Sequence, residues 1–180
     1  MQENQGCVFW ITGLSGAGKT TIGSILVKKL KEHNAPALLV DGDVIRSTLS
    51  EKRGYTREER LHLSKMYSKF CHMVAQQGIH VVCACVALFH EVQAWNRKNM
   101  ARYLEIFVDV PLDDLIKRDT KNIYAEALKG KIKNVVGIDI EPEYPQNPDL
   151  VLSNDYENAD YQAARIFDLY ASQAFCSANY

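Results

Sequence analysis

The chain has 180 residues, with 21 Lys+Arg against 22 Asp+Glu and a formal net charge of −1. That balance excludes a nucleic-acid-coating role but leaves room for a locally basic site that takes a small anion. A chain of this length buries about 70% of its unfolded surface, enough for one α/β domain over 1–180 without a disulfide or metal staple.

The five cysteines, Cys7, Cys71, Cys83, Cys85 and Cys176, are odd in number and lack the paired spacing of a zinc site. They read as buried reduced thiols, with Cys83 and Cys85 on one face of a strand. The polar start, Met1 to Gln5, has neither the basic nor the apolar region of a signal peptide, and no apolar run is long enough to span a membrane. The expectation is a cytoplasmic protein without membrane association.

Residues 7–12 (Cys-Val-Phe-Trp-Ile-Thr) are apolar and β-rich and stop at a glycine, the pattern of a buried parallel strand. Residues 20–33 carry Ile22, Ile25, Leu26 and Leu30 at helical spacing, with lysines opposite. A second strand, 37–40, ends in Asp41-Gly42-Asp43. A helix is expected over 57–77, with Gly78 as its stop. Residues 80–86 read as a third strand, 91–102 as a helix containing Trp95, and 104–110 as a fourth strand closed by Pro111. A helix over 112–118 leads into a basic, glycine-containing segment, 119–139, suited to a mobile lid. A short strand, 150–153, and a helix, 161–174, close the chain. Alternation of apolar strands with helices predicts a parallel sheet with helices on both faces.

Gly13-Leu14-Ser15-Gly16-Ala17-Gly18-Lys19-Thr20 matches the phosphate-binding pattern G-x-x-x-x-G-K-S/T, placed as required between a strand and a helix. This defines a P-loop NTPase fold. The loop's backbone N–H groups and the following helix N-terminus receive phosphate oxygens, so residues 13–20 and the adjoining Thr21 are the expected ATP site. Lys19 is expected at the β/γ-phosphates and Thr20 on Mg²⁺. Asp41-Gly42-Asp43, at the carboxyl end of the second strand, places two carboxylates beside those phosphates. One can hold a metal-bound water while the other takes the proton of an attacking hydroxyl. An ordinary polar turn is the alternative there.

A guanine-reading Asn-Lys-x-Asp string is missing, and the length leaves no room for motor machinery, so a small-molecule kinase is expected. A module that binds ATP without turnover is disfavoured because Lys19, Thr20, Asp41 and Asp43 are all in place. Arg46, Arg60, Lys121 and Lys133 lie on segments expected to border the sheet's carboxyl edge, where an anionic acceptor needs them.

These residues together resemble the adenylylsulfate (APS) kinases, which phosphorylate the ribose 3′-hydroxyl of adenosine 5′-phosphosulfate. The resemblance runs from about residue 8 to 151. Beyond the loop it includes Asp41-Gly42-Asp43 with Arg46, Gly54-Tyr55-Thr56 with Arg60, and Phe107-Val108-Asp109-Val110-Pro111-Leu112. It continues through Arg118-Asp119, Lys121 to Tyr124, Ile132-Lys133-Asn134, Gly137-Ile138-Asp139 and Pro145-Gln146-Asn147-Pro148. It implies Asp43 as general base, with Asp41 supporting the metal and water shell. It also implies Arg46 and Arg60 on the acceptor's phosphate, Tyr55 stacked on its base, and Lys121 and Lys133 covering both nucleotides. A homodimer is implied as well.

The departures from the family pattern are Val44 and Leu63 for asparagines, Val86-Ala87-Leu88 for Ile-Ser-Pro, and Val135 for a second stacking aromatic. All are expected on the acceptor side. They favour the family branch that phosphorylates cytidine diphosphoramidate in capsular polysaccharide modification, with APS as the alternative acceptor.

Overall fold

The computed structural model describes residues 5–49, 54–153 and 158–176. The start of the chain, 1–4, and the side chain of Cys176 lie outside what is described. Strands β1 (Val8–Thr12), β2 (Ala37–Asp41), β3 (His80–Cys85), β4 (Tyr103–Asp109) and β5 (Leu150–Ser153) form one sheet in the order β2-β3-β1-β4-β5. Every pairing is parallel. Because side chains alternate across a strand, β1 sends Phe9 and Ile11 to one face and Val8 and Trp10 to the other. Both faces must therefore be covered, which explains why these strands read as unbroken apolar runs.

One face is covered by α1 (Lys19–Glu32) and α7 (Ala159–Cys176), which pack on each other, together with α5 (Leu112–Arg118) and α6 (Ile123–Leu128). The other is covered by α3 (Arg57–Ala75) and α4 (His90–Asn99). The expected α/β architecture with helices on both faces is the observed one. Cys7, Cys71, Cys83 and Cys85 are buried and unbridged, and Cys83 and Cys85 share the α3 side of β3.

The structure adds two helices to the sequence reading. The first, α2 (Gly42–Leu49), begins where a polar turn was the alternative. Asp41 starts it by accepting the backbone N–H groups of Asp43 and Val44 on Oδ1, at 2.8 and 3.1 Å. The second, α6, lies inside the segment expected to be a lid. Asp119 starts it by accepting the N–H groups of Ile123, Tyr124 and Ala125, and Tyr124 is 2% exposed. Both aspartates supply the acceptors that the first turn of a helix lacks, a local effect that hydrophobic period does not reveal. Helix α4 ends at Asn99, short of residue 102, because Met100 turns extended and buries its side chain in the α3 face of the core. Helix α3 ends at Ala75, and Gly78, at φ 84°, closes the turn that follows.

Candidate active site

Parallel pairing aligns the carboxyl ends of β1, β2 and β3: Thr12 pairs with Cys85, and Asp41 with Ala84. The loop after β1 and the Asp41-Gly42-Asp43 segment after β2 therefore face each other across one sheet edge, where α/β folds bind ligands. They line a cavity of about 760 Å³, together with residues of α2 and α3 and part of segment 119–139.

The loop owes its path to its glycines. A Cβ on Gly13 (φ 152°) would stand 2.5 Å from the Val108 carbonyl oxygen, and Gly18 sits at φ 91°, in the left-handed region. Lys19, the first residue of α1, is 7% exposed, and its Nζ donates to the Leu14 carbonyl at 2.7 Å. Burial lowers its pKa from the ordinary lysine value to about 8. Ser15, Gly16, Gly18, Lys19, Thr20 and Thr21 line the cavity, while the side chains of Leu14 and Ala17 anchor the loop in the core.

Thr20 Oγ1 donates to Asp41 Oδ2 at 2.6 Å. Burial opposes the ionisation of Asp41, but the bonds from Thr20 and from the N–H groups of Val44 and Asp43 hold its carboxyl below the usual range. This hydroxyl and carboxylate are the pair that could hold a divalent cation carried by phosphates. Among the described residues, no three His, Cys, Asp or Glu side chains gather to hold a metal on their own. The Asp43 carboxylate is exposed and paired with Lys121 Nζ at 2.5 Å.

On the side of the cavity expected to take the acceptor, the guanidinium carbons of Arg46 and Arg60 lie 4.5 and 5.1 Å from the Tyr55 ring centroid. Arg46 also donates to the Gly54 carbonyl, and Arg60 to the carbonyls of Tyr55 and Asn134. The structure thus gathers Asp41, Asp43, Arg46, Tyr55, Arg60 and Lys121 around one cavity. Lys133 is exposed and is not among the lining residues.

The departures divide too. Leu63 (1% exposed) and Val135 (5%) line the cavity, as does Val86. Val44 is instead exposed on the outside of α2, and Ala87 is buried in the core away from the cavity. The expectation that all of them fall on the acceptor surface is corrected accordingly. Sequence reasoning missed Ser64 and Tyr67, which also line the cavity. Their spacing from Arg60, four and seven residues along α3, places the three on one helix face and was the available signal.

A P-loop at the centre of a parallel sheet, opposite paired carboxylates and an arginine-lined recess, defines a phosphotransferase of the P-loop kinase class. The chain belongs to the adenylylsulphate kinase family, whose model matches residues 5–153. It is 38% identical over 156 residues to the cytidine diphosphoramidate kinase of Campylobacter jejuni, covering 87% of this chain and 91% of the relative. It is 40% identical over 150 residues to the adenylyl-sulfate kinase of Chloroflexus aurantiacus, covering 83% and 81%. Among solved structures it is similar to the Mycobacterium tuberculosis APS kinase CysC in complex with AMPPNP and APS, with a TM-score of 0.86 and 34% identity over 92% of this chain and 97% of the other. Among the described residues, no helix is long and apolar enough to cross a membrane.

Proposed function

We propose that the chain transfers the γ-phosphoryl group of ATP to the ribose 3′-hydroxyl of a small nucleotide with a compact anionic tail, and that this acceptor is cytidine diphosphoramidate. In this reading the triphosphate lies along residues 13–20, its charge met by Lys19 and by the backbone at the start of α1. Thr20 and Asp41 are the side chains that would hold Mg²⁺, which when bound neutralises charge on the β- and γ-phosphates. Lys121 releases Asp43, whose carboxylate accepts the proton of the 3′-hydroxyl. The freed oxygen bonds to the γ-phosphorus as the bond to the ADP oxygen breaks. Arg46 and Arg60 meet the anionic tail.

The acceptor assignment rests on the apolar lining supplied by Leu63 and Val135, where the family pattern has an amide and an aromatic ring. Tyr55 then remains the exposed aromatic ring of the described cavity lining, a platform suited to one pyrimidine. The Campylobacter relative supports the same reading, and a place in capsular polysaccharide modification goes with it. APS is the second reading, supported by the Chloroflexus relative and by the APS complex of the mycobacterial kinase.

ADP release measured with each acceptor, with ³¹P NMR of the product to locate the new phosphate, tests the proposal. The expected kcat/KM for cytidine diphosphoramidate exceeds that for APS by about tenfold or more, equivalent to about 1.4 kcal/mol. Leu63→Asn should narrow that gap. An APS efficiency equal to or above that of the cytidine nucleotide overturns the assignment and makes this an adenylylsulfate kinase in substrate as well as family.

A further inference from the structure

The peptide group joining Gly42 to Asp43 is gripped at both ends. Its N–H donates to Asp41 Oδ1, and its carbonyl accepts the hydroxyl of Tyr67, each at 2.8 Å. One grip comes from the end of β2 and the other from the middle of α3. Gly42 itself packs against β3, where an added Cβ would lie 3.0 Å from the Cβ of Cys85.

A trans peptide plane turns on two soft hinges, here ψ of Gly42 and φ of Asp43. The glycine hinge is the freest that a backbone offers. Any rocking of this plane swings the Asp43 carboxylate, which is carried on the next tetrahedral carbon and is exposed to the cavity. The plane is also the first of α2, and its bonds to Asp41 and Tyr67 tie that helix start to β2 and to α3. Tyr67 is 5% exposed, and burial pushes its hydroxyl well above the ordinary phenol range, so it stays a protonated donor. A phenylalanine would fill the same space in the core, which leaves the hydroxyl as the part of this side chain without a packing role.

We propose that Tyr67 is a positioning residue for Asp43: its bond to the Gly42 carbonyl fixes the peptide plane from which that carboxylate projects. Helix α3 also presents Arg60 and Leu63 to the acceptor side of the cavity. One helix therefore sets the acceptor and the group that deprotonates it in a common frame. The inference rests on Asp43 acting as the base of the proposed reaction.

The test combines steady-state kinetics of Tyr67→Phe, Asp43→Asn and the double variant with hydrogen exchange at the Asp43 amide. Tyr67→Phe is expected to lower kcat by about tenfold, since small misplacements of reacting groups are that costly, with KM for ATP unchanged within about twofold. Added to Asp43→Asn it should cost nothing further, because the hydroxyl acts through the carboxylate that is already gone. In the nucleotide-free wild-type protein the Asp43 amide should be protected, and Tyr67→Phe should speed its exchange several-fold. Full kcat in a folded Tyr67→Phe enzyme overturns the proposal. So do losses that multiply in the double variant, or a wild-type Asp43 amide exchanging at the free-peptide rate. Exchange is read without an acceptor and, in the wild type, without a variant. A poorly folding variant, or an enzyme inert toward both nucleotides, therefore leaves that arm decisive while the second outcome counts against the proposed function alone.

Discussion

Lys19 shows what burial does to a single charged residue. Its ammonium is buried in a loop of backbone dipoles and donates to the Leu14 carbonyl, and burial brings its pKa down to about 8. In the proposed function a triphosphate binds the charged form, so binding would raise that pKa and take up a proton. Affinity for ATP should therefore be full below pH about 8 and weaken by up to tenfold per pH unit above it. Calorimetric titration with ATP at pH about 7.5 and about 9.5 reads this directly. A flat Kd over that range would contradict the assignment of the buried cation. Lys19→Met should abolish the slope and lower turnover by about 10²-fold or more, the cost of losing one charge-stabilising donor at the transferring group.

At the scale of elements, the start of α3 carries more than its own stability. Thr56 accepts the Glu59 N–H on its hydroxyl, while the Glu59 carboxylate accepts the N–H groups of Thr56 and Gly54, a reciprocal cap. Tyr55 lies inside that closed turn, with Arg46 bonded to Gly54 and Arg60 to the Tyr55 carbonyl. The cap thus orders one wall of the cavity. Thr56→Ala should cost about 1 kcal/mol in denaturant unfolding. It should also raise KM for the acceptor while leaving KM for ATP unchanged, because the proposed function puts the acceptor on that side of the cavity. An equal rise in both KM values would show the cap acting on the fold in general.

At the scale of the molecule, His80 ties the amino-terminal edge of the sheet together. Its Nδ1 accepts the Cys7 N–H at 2.9 Å, and its Nε2 meets the Tyr170 hydroxyl at 3.2 Å, joining β3 to the entry of β1 and to α7. Burial, with Arg102 nearby, lowers its pKa below the ordinary 6.5, so the folded protein holds the ring neutral. The unfolded chain then binds the proton more readily. Stability should be full above pH about 6.5 and be lost as pH falls toward the folded-state pKa. Urea midpoints at pH about 7.5 and about 5.5 should show that decline, and His80→Gln should flatten it. An unchanged slope in the variant would place the acid sensitivity elsewhere.

Much of this was legible in the sequence, because the signals span only a few residues. Glycines at fixed offsets before Lys19 and Thr20 specify a phosphate loop, and apolar runs broken by amphipathic stretches specify a parallel sheet covered on both faces. Ordered signatures from the loop to Asn147 were enough to recognise the family. Helices α2 and α6 were missed because single carboxylates, Asp41 and Asp119, start them, rather than a hydrophobic period. The site's finer arrangement needed the fold. Lys121 reaches Asp43 across 78 residues of chain, and Tyr67 reaches Gly42 across 25. Val44 and Leu63 look like equivalent departures in the sequence, yet one faces outward on α2 while the other forms a wall of the cavity. Local pattern fixes which element a residue belongs to. Which surface that residue presents, and to whom, is decided by how distant elements pack.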